Sequence, residues 1–383
     1  MMKVLVLGCG LMGRAIALDL LEADDVEKVA VLDVSQEKLK ALQTEAHTQK
    51  LSTQRVDVAN RSRLAVLARR FDVVANALTH TYSVAADRAL IKAKVPVVDL
   101  TFQDEHMKLD AEARKAGVIV VPGCGVAPGI TNILVGEAVD QLDEIKSVEI
   151  MCGGLTPTPS SPLRWRYVFS LEAAWGLYMR NPRIVKDGKV VEVEPRSGLE
   201  KVSFPAPFTD VEAFYSDGLA SLLFTMKDKI PNMVEKTVRW AGNIERINLL
   251  ADCGLLSEKP LKVDGSMTSP RRFNSLVMGP LLEIGNEKDV TLLRSDAVGM
   301  KNGKKVRLRR QMVDYYDERK RVISMGRTTG YPCSVVTMMI GRGEITSTGV
   351  VPPEMLIRGK LFHEFESEMN KRNIVLERSL DEV

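Results

Sequence analysis

The sequence is poor in the side chains that most often advertise chemistry. Its 383 residues include four histidines (His47, His80, His106, His363) and five cysteines (Cys9, Cys124, Cys152, Cys253, Cys333). The cysteines are odd in number and form no C-x-x-C pair, which excludes a disulfide framework and a zinc ribbon and leaves reduced thiols. No metal site is read from the sequence. No apolar run reaches the ~20 residues that a membrane-spanning helix needs. The first apolar run resembles a signal peptide only superficially, because glycines and Arg14 interrupt it and Asp19 follows. A dominant charge is also missing. The 53 Lys and Arg residues against 50 Asp and Glu leave a net +3, which argues for neither nucleic acid nor a membrane surface as partner. With 45% hydrophobic and 27% charged residues, the composition is that of an ordinary globular protein, expected in the cytoplasm. The length exceeds the ~250–300 residues at which single cores stop growing, so two domains are expected.

What the chain does have stands at its beginning. Lys3-Val4-Leu5-Val6-Leu7 runs directly into Gly8-Cys9-Gly10-Leu11-Met12-Gly13, and an apolar helical pattern follows. A continuous apolar run suits a strand buried on both faces of a parallel sheet. In G-x-G-x-x-G, Gly8 allows the tight turn, Gly10 leaves room for a pyrophosphate, and Gly13 lets the helix lie close to its strand. The helix start at Leu11 and Met12 offers N–H groups to the phosphates. A second apolar run, Val29 to Leu32, ends in Asp33 at the distance where a dinucleotide domain places the carboxylate for the ribose hydroxyls. Val34 and Ser35 follow, with no Arg for a 2′-phosphate, so the expected cofactor is NAD.

Further strands and helices alternate through Pro122, as in a doubly wound parallel sheet. Gln54 to Val58 reads as a short strand, with Asp57 and Val58 placed near an adenine edge. Asp72 to Leu78 is a buried strand. Its carboxyl end carries Asn76, Ala77 and Leu78, and ligands of open α/β sheets lie at carboxyl ends. The loop that follows contributes His80 as the candidate catalytic base, with Tyr82 beside it. Val95 to Leu100 is the next strand and places Asp99 at the same edge. The glycine-proline turn Gly123 to Asn132 marks the domain border. A second domain with a mixed, mostly antiparallel sheet is expected from strands at Lys189–Val193, Lys236–Trp240, Val290–Asp296, Val306–Tyr316 and Arg321–Met325. A helix is expected behind Ser269-Pro270, where Ser caps and Pro takes the first helical position. Thr328 to Pro332 precedes an apolar helix over Cys333–Ile340, then an amphipathic helix over Phe362–Arg372 and a strand over Asn373–Leu376. The expected architecture is α/β: a Rossmann domain over 1–127, an α+β substrate and oligomerisation domain over 128–330, and C-terminal helices over 331–383 that pack back on the first domain.

Five stretches carry a family resemblance: Gly8–Gly13; Asp72–Leu78; Gly125-Val126-Ala127-Pro128-Gly129; Glu212–Gly218 with Lys236-Thr237-Val238-Arg239-Trp240; and Arg342–Ile345 with Gly349–Glu354. In order and type they resemble the saccharopine dehydrogenase/reductase family, and within it the lysine 6-dehydrogenase-like branch. Saccharopine reductases usually have Asp before the Pro-Gly of the interdomain turn. Here Ala127 stands there, as in the lysine 6-dehydrogenase-like branch. That branch tends to have a small polar and glycine run at the place of Ser216-Asp217-Gly218. The resemblance implies NAD-dependent oxidation of an amine or amino acid, by preference L-lysine at C6, in a homodimer or higher homo-oligomer. It places Arg239 on the substrate carboxylate, which an Arg fork matches bidentately. Asp217 is placed on the α-ammonium, with Tyr215 and Gly125 lining the substrate site. The alternatives are a saccharopine or carboxyspermidine-type enzyme that joins an aldehyde and an amine, and an NAD-binding sensor without turnover.

Overall fold

The computed structural model describes residues 1–168 and 171–383, the side chains of Glu172 and Ala173 excepted. It contains two compact units. The first comprises Met1–Asp143, Ala220–Thr225 and Gly326–Val375; the second comprises Glu144–Leu219, Met226–Met325 and Leu376–Val383. Three departures from the sequence boundaries stand out. The helix Ile130–Gln141 belongs to the first unit, the short piece Ala220–Thr225 joins it, and the last eight residues belong to the second.

The first unit is built on a seven-stranded sheet whose paired strands are all parallel. Its strands are β1 (Met2–Leu7), β2 (Val26–Asp33), β3 (Leu51–Arg55), β4 (Val73–Asn76), β5 (Val97–Asp99), β6 (Ile119–Val121) and Gly349–Val350. They lie in the order Gly349–Val350, β6, β5, β4, β1, β2, β3. The chain order reverses between β1 and β4, and that switch point is where open α/β sheets bind ligands. Helices α1 (Leu11–Glu22), α2 (Gln36–Ala46), α3 (Arg61–Ala68) and α4 (His80–Ala93) connect the first five strands. The continuous apolar runs predict burial on both faces. Val4, Leu5, Val6 and Leu7, and likewise Val73, Val74 and Ala75, are without solvent exposure.

A carboxylate holds the inserted piece of chain in this unit. Glu354 is fully buried and accepts hydrogen bonds from Thr225 Oγ1 at 2.6 Å and Ser221 Oγ at 3.0 Å, while Asn132 Nδ2 donates to Ser221 Oγ at 3.0 Å.

The second unit is built on a nine-stranded sheet. Its main path runs Glu200–Val202, Val211–Tyr215, Met233–Trp240, β7 (Glu144–Leu155), Val290–Lys301, Lys304–Tyr315 and Glu377–Glu382. The pair of β7 with Met233–Trp240 is parallel; the other pairs are antiparallel. The long hairpin turns at Asn302 (φ 50°) and Gly303 (φ 78°), two positive-φ residues as a tight primed turn requires. Three sequence expectations differ. Arg321–Met325 is not a strand, since Ser324 and Met325 open the helix Ser324–Gly341; that helix begins well before the expected Cys333 and has Pro332 inside it. The C-terminal strand lies at Glu377–Glu382 instead of Asn373–Leu376, since the pairing partner is Lys304–Tyr315. Proline argues against a helix interior on average, and tertiary packing overrides that preference here: Tyr331, Cys333, Val335 and Val336 are all buried.

Glu354→Ala takes the carboxylate acceptor from the buried Ser221 hydroxyl and leaves the half-buried Thr225 hydroxyl with only the Ser221 carbonyl at 3.1 Å. We expect a loss on the order of 2–4 kcal/mol, read as a lower urea midpoint. An unchanged midpoint would show that Glu354 does not hold the inserted piece.

Candidate functional site

The glycine turn is shaped by contact. Gly8 has φ +91°, and a Cβ there would meet the Ala77 carbonyl oxygen at 2.9 Å. A Cβ on Gly13 would fall 1.9 Å from the Gly8 carbonyl oxygen, so only glycine lets α1 approach β1. Gly10 is the opposite case: nothing lies within 4 Å of where its Cβ would stand. That open space faces the start of α1, which has no side-chain cap and no acidic residue in its first turn. The N–H groups of Leu11, Met12 and Gly13 belong to the helix start that lacks intrahelical acceptors. The turn therefore combines open room with N–H donors and the positive end of a helix dipole, which fits a pyrophosphate.

Asp33 braces this turn. Its Oδ2 accepts the Cys9 N–H at 2.6 Å and its Oδ1 accepts the Ser35 N–H at 2.7 Å. A carboxylate has about four acceptor sites, so this leaves capacity for ribose hydroxyls. Asp57 and Val58 lie beyond β3, which ends at Arg55. The exposed Asp57 side chain accepts the Ala59 N–H at 2.9 Å and closes a local turn. Val58 packs into the core, so its side chain is not available to an adenine ring.

Asn76 and Asp99 also take a different place from the expected one. Both are fully buried and belong to a polar network under the strand ends. Asn76 Nδ2 donates to Asp87 Oδ1 and to Asp99 Oδ2, each at 2.9 Å. Ser83 donates to Asp99 Oδ2, and Thr101 donates through Oγ1 to Ser83 Oγ at 2.7 Å and through its backbone N–H to Asp99 Oδ1 at 2.6 Å. His106 Nε2 lies 3.5 Å from both Asp87 Oδ2 and Asp99 Oδ2, while its Nδ1 accepts the Gln103 N–H at 2.9 Å and lies 3.1 Å from the Gln103 carbonyl. Burial alone would lower the imidazole pKa, but the Asp87 and Asp99 carboxylates outweigh it and push it up to about 10. Burial, then the Asp99 charge, pushes Asp87 up to about 7. The three side chains converge closely enough to hold a metal ion; the two carboxylates favour a charged His106, whereas the Gln103 N–H on Nδ1 favours the neutral ring. The network reaches the surface through Asn76, whose Oδ1 accepts the Leu78 N–H at 3.1 Å. Ala77 and Leu78 are half-buried and stand beside the glycine turn.

The two catalytic candidates are elsewhere on α4. His80 is its first residue and Tyr82 its third; both are exposed, and His80 lines a groove with Arg61, Ser62, Val84 and Arg88.

In the second unit, Arg239 lies on Met233–Trp240 and is 6% exposed. Its Nε donates to the Tyr178 hydroxyl at 3.1 Å and its Nη1 to the Val238 carbonyl at 2.8 Å. Its guanidinium carbon sits 5.2 Å from the Trp165 ring centre and 6.0 Å from that of Tyr178. Glu212 is its register partner, but that carboxylate accepts the Gly242 and Ile244 N–H groups at 2.9 and 2.7 Å. Arg239 thus forms no ion pair among the described residues. Asp217 does not join it: Arg183 binds the Asp217 carboxylate through its backbone N–H at 3.2 Å, Nε at 3.1 Å and Nη2 at 3.3 Å, so its charge is already matched. Tyr215 is opposite Lys236 in register, and its ring lies under the Lys236 ammonium at 5.4 Å. Side chains alternate along a strand, which puts Tyr215 and Arg239 on opposite faces. Gly125, in the first unit, is a turn residue: its N–H donates to the Pro128 carbonyl at 2.9 Å, and Thr329 packs over it.

Glu235 was not foreseen, since the expected strand began one residue later. It is buried on the face that carries Thr237 and Arg239, accepts the Ser216 hydroxyl, and is pushed up to about 7 by burial.

The comparisons with known proteins agree with this architecture. The sequence profile of the saccharopine dehydrogenase NADP binding domain matches residues 4–121, and that of the saccharopine dehydrogenase C-terminal domain matches residues 125–375. The saccharopine dehydrogenase (NADP+, L-glutamate-forming) of Pyricularia oryzae is 29% identical over 277 residues, covering 67% of this chain and 58% of that protein. The Saccharomyces cerevisiae enzyme of the same name is 25% identical over 275 residues, covering 67% and 59%. The matches therefore span about three-fifths of these relatives. The solved structure of apo saccharopine dehydrogenase (L-Glu forming) from S. cerevisiae superposes with a TM-score of 0.84 at 20% identity, over 99% of this chain and 100% of that one.

The His106 proton gives a stability signature. Its folded pKa lies above the unfolded value near 6.5, so its contribution is complete below that value and is lost as pH rises through 10. Urea unfolding at pH 7 and pH 9.5 should show stability falling by up to ~1.36 kcal/mol per pH unit. His106→Gln should flatten that slope; equal slopes in both proteins would contradict a protonated His106.

Proposed function

The chain belongs to the saccharopine dehydrogenase family, and on that premise we propose that it is an NAD-dependent oxidoreductase that oxidises the terminal amine of an amino acid, by preference L-lysine at C6. The products are 2-aminoadipate 6-semialdehyde, which cyclises with its own α-amine, and ammonia. The observation that carries this reading is Arg239: a buried guanidinium with no carboxylate partner among the described residues. A buried cation is costly unless paired, and the α-carboxylate of one substrate would complete it through a bidentate fork. The aromatic rings of Trp165 and Tyr178 hold that fork in a fixed plane.

The glycine turn fits a dinucleotide, with Gly10 and the α1 N–H groups toward the pyrophosphate and Asp33 toward the adenosine ribose. A bound nicotinamide supplies the hydride acceptor. Hydride loss from C6 leaves an iminium, to which water adds before ammonia departs. We assign the proton of that water to His80, with Tyr82 on the same helical turn as the alternative. The Asp87–Asp99–His106 network acts one step removed, as the support under Ala77 and Leu78.

The second reading is oxidation of saccharopine, in which the same C6–N bond is cleaved and glutamate leaves in place of ammonia. It is favoured by the names of the relatives and by Arg164, whose buried Nε has no hydrogen bond and would suit a further carboxylate.

Purified protein mixed with NAD+ and either lysine or saccharopine separates the two. Reduced nicotinamide formed with lysine, in step with ammonia, is the expected result. Turnover of saccharopine with lysine inert would replace the first reading by the second. Arg239→Ala should raise the KM for lysine about a hundredfold, the scale of two charge-assisted hydrogen bonds, and leave NADH affinity unchanged. It should also abolish the preference for lysine over 1,5-diaminopentane, which lacks the carboxylate. A retained preference would remove Arg239 from the substrate site.

A further inference from the structure

The loop after the second strand of a dinucleotide-binding sheet decides how the adenosine 2′ position is received. Along the sequence that loop, Asp33-Val34-Ser35, holds no arginine. In space it has one. β3 runs parallel to β2 in a register that sets Arg55 beside Asp33. The Arg55 Nε–H donates to the Val34 carbonyl at 3.0 Å, which anchors the guanidinium on the loop. Asp33 directs its two oxygens to the Cys9 and Ser35 N–H groups. Arg55 and Asp33 therefore flank Val34 without forming an ion pair among the described residues. Arg55 is exposed, and Nε is its one bonded nitrogen there. Lys38 and Glu37, both in the first turn of α2, add one charge of each sign, and Arg14 is engaged with Glu45. The net result beside Val34 is a fixed guanidinium whose fork is unused.

We propose that Arg55 is the residue through which this chain accepts a 2′-phosphate. Asp33 serves the ribose hydroxyls of NAD(H), and Arg55 supplies the charge and planar fork that the 2′-phosphate of NADP(H) requires. The site is then tolerant at this position rather than closed to the phosphorylated cofactor. The guanidinium comes from the neighbouring strand, where a search of the β2 loop alone does not find it. This inference rests on the dinucleotide reading above and is independent of which amine is oxidised.

The test is binding, with no substrate present. NADH and NADPH are titrated into the full-length protein, and the nicotinamide fluorescence is followed. The wild-type protein should bind both, with dissociation constants within about tenfold of each other. Arg55→Ala should weaken NADPH about tenfold or more and NADH less than twofold, and Arg55→Lys should restore part of the NADPH affinity. The NADPH arm should also fall more steeply with added salt. A ratio unmoved by Arg55→Ala, or an equal loss for both cofactors, overturns the role of Arg55 while leaving the dinucleotide site intact. A wild-type protein that binds neither cofactor overturns the dinucleotide reading and this inference together.

Discussion

Two carboxylates shut away from water set the terms for the first unit. Asp87 and Asp99 are fully buried side by side, and two negative charges in that position are not stable without compensation. The His106 ring, whose Nε2 faces both carboxylates, and the Asn76 amide, which donates to both, provide it. The rest of the cofactor edge follows from this in sequence. Asn76 is fixed by the carboxylates, so its carbonyl oxygen holds the Leu78 N–H. The Ala77 backbone is thereby placed against Gly8, where no side chain would fit, and Gly8 in turn closes on Gly13. The open space at Gly10 is the end of this chain of contacts. A site built to receive phosphate is thus held by charges that never touch it.

The second unit shows the complementary arrangement. There the buried charge is a cation, Arg239, and the nearby acids are engaged elsewhere: Glu212 on a helix start, Asp217 on Arg183. Ring faces and two neutral oxygens hold the guanidinium, and Glu235, buried on the same face, feels its charge without forming an ion pair with it. The balanced cluster is structural and the unbalanced one is where we place the substrate. Arg55 repeats the second pattern at the surface, as a fork anchored by one nitrogen.

The sequence was most legible where a single residue type is forced by contact. The glycine fingerprint, Asp33 and the buried strands could be read directly, because each depends on neighbours close in the chain. The second sheet was legible in type and less so in its ends, since register and pairing partners decide where a strand stops. Site residues failed wherever the deciding partner was distant. Asp99 and Asn76 sit at strand ends, as expected of ligand contacts, yet His106 and Asp87 draw them inward. Asp217 resembles a free turn carboxylate until Arg183 is seen beside it. Tyr215 lies close to the Arg239 strand and still faces away, because alternation depends on register. Arg55 is invisible to a reading of the β2 loop for the same reason.

The central claim is that hydride leaves C6 of a lysine held by its carboxylate. Lysine carrying deuterium at both C6 positions, incubated with the protein and NAD+, tests it directly by mass spectrometry of the nicotinamide product. The account predicts reduced cofactor bearing one deuterium and a semialdehyde retaining the other. Unlabelled reduced cofactor, or label transfer that occurs from C6-labelled saccharopine and not from lysine, would contradict it.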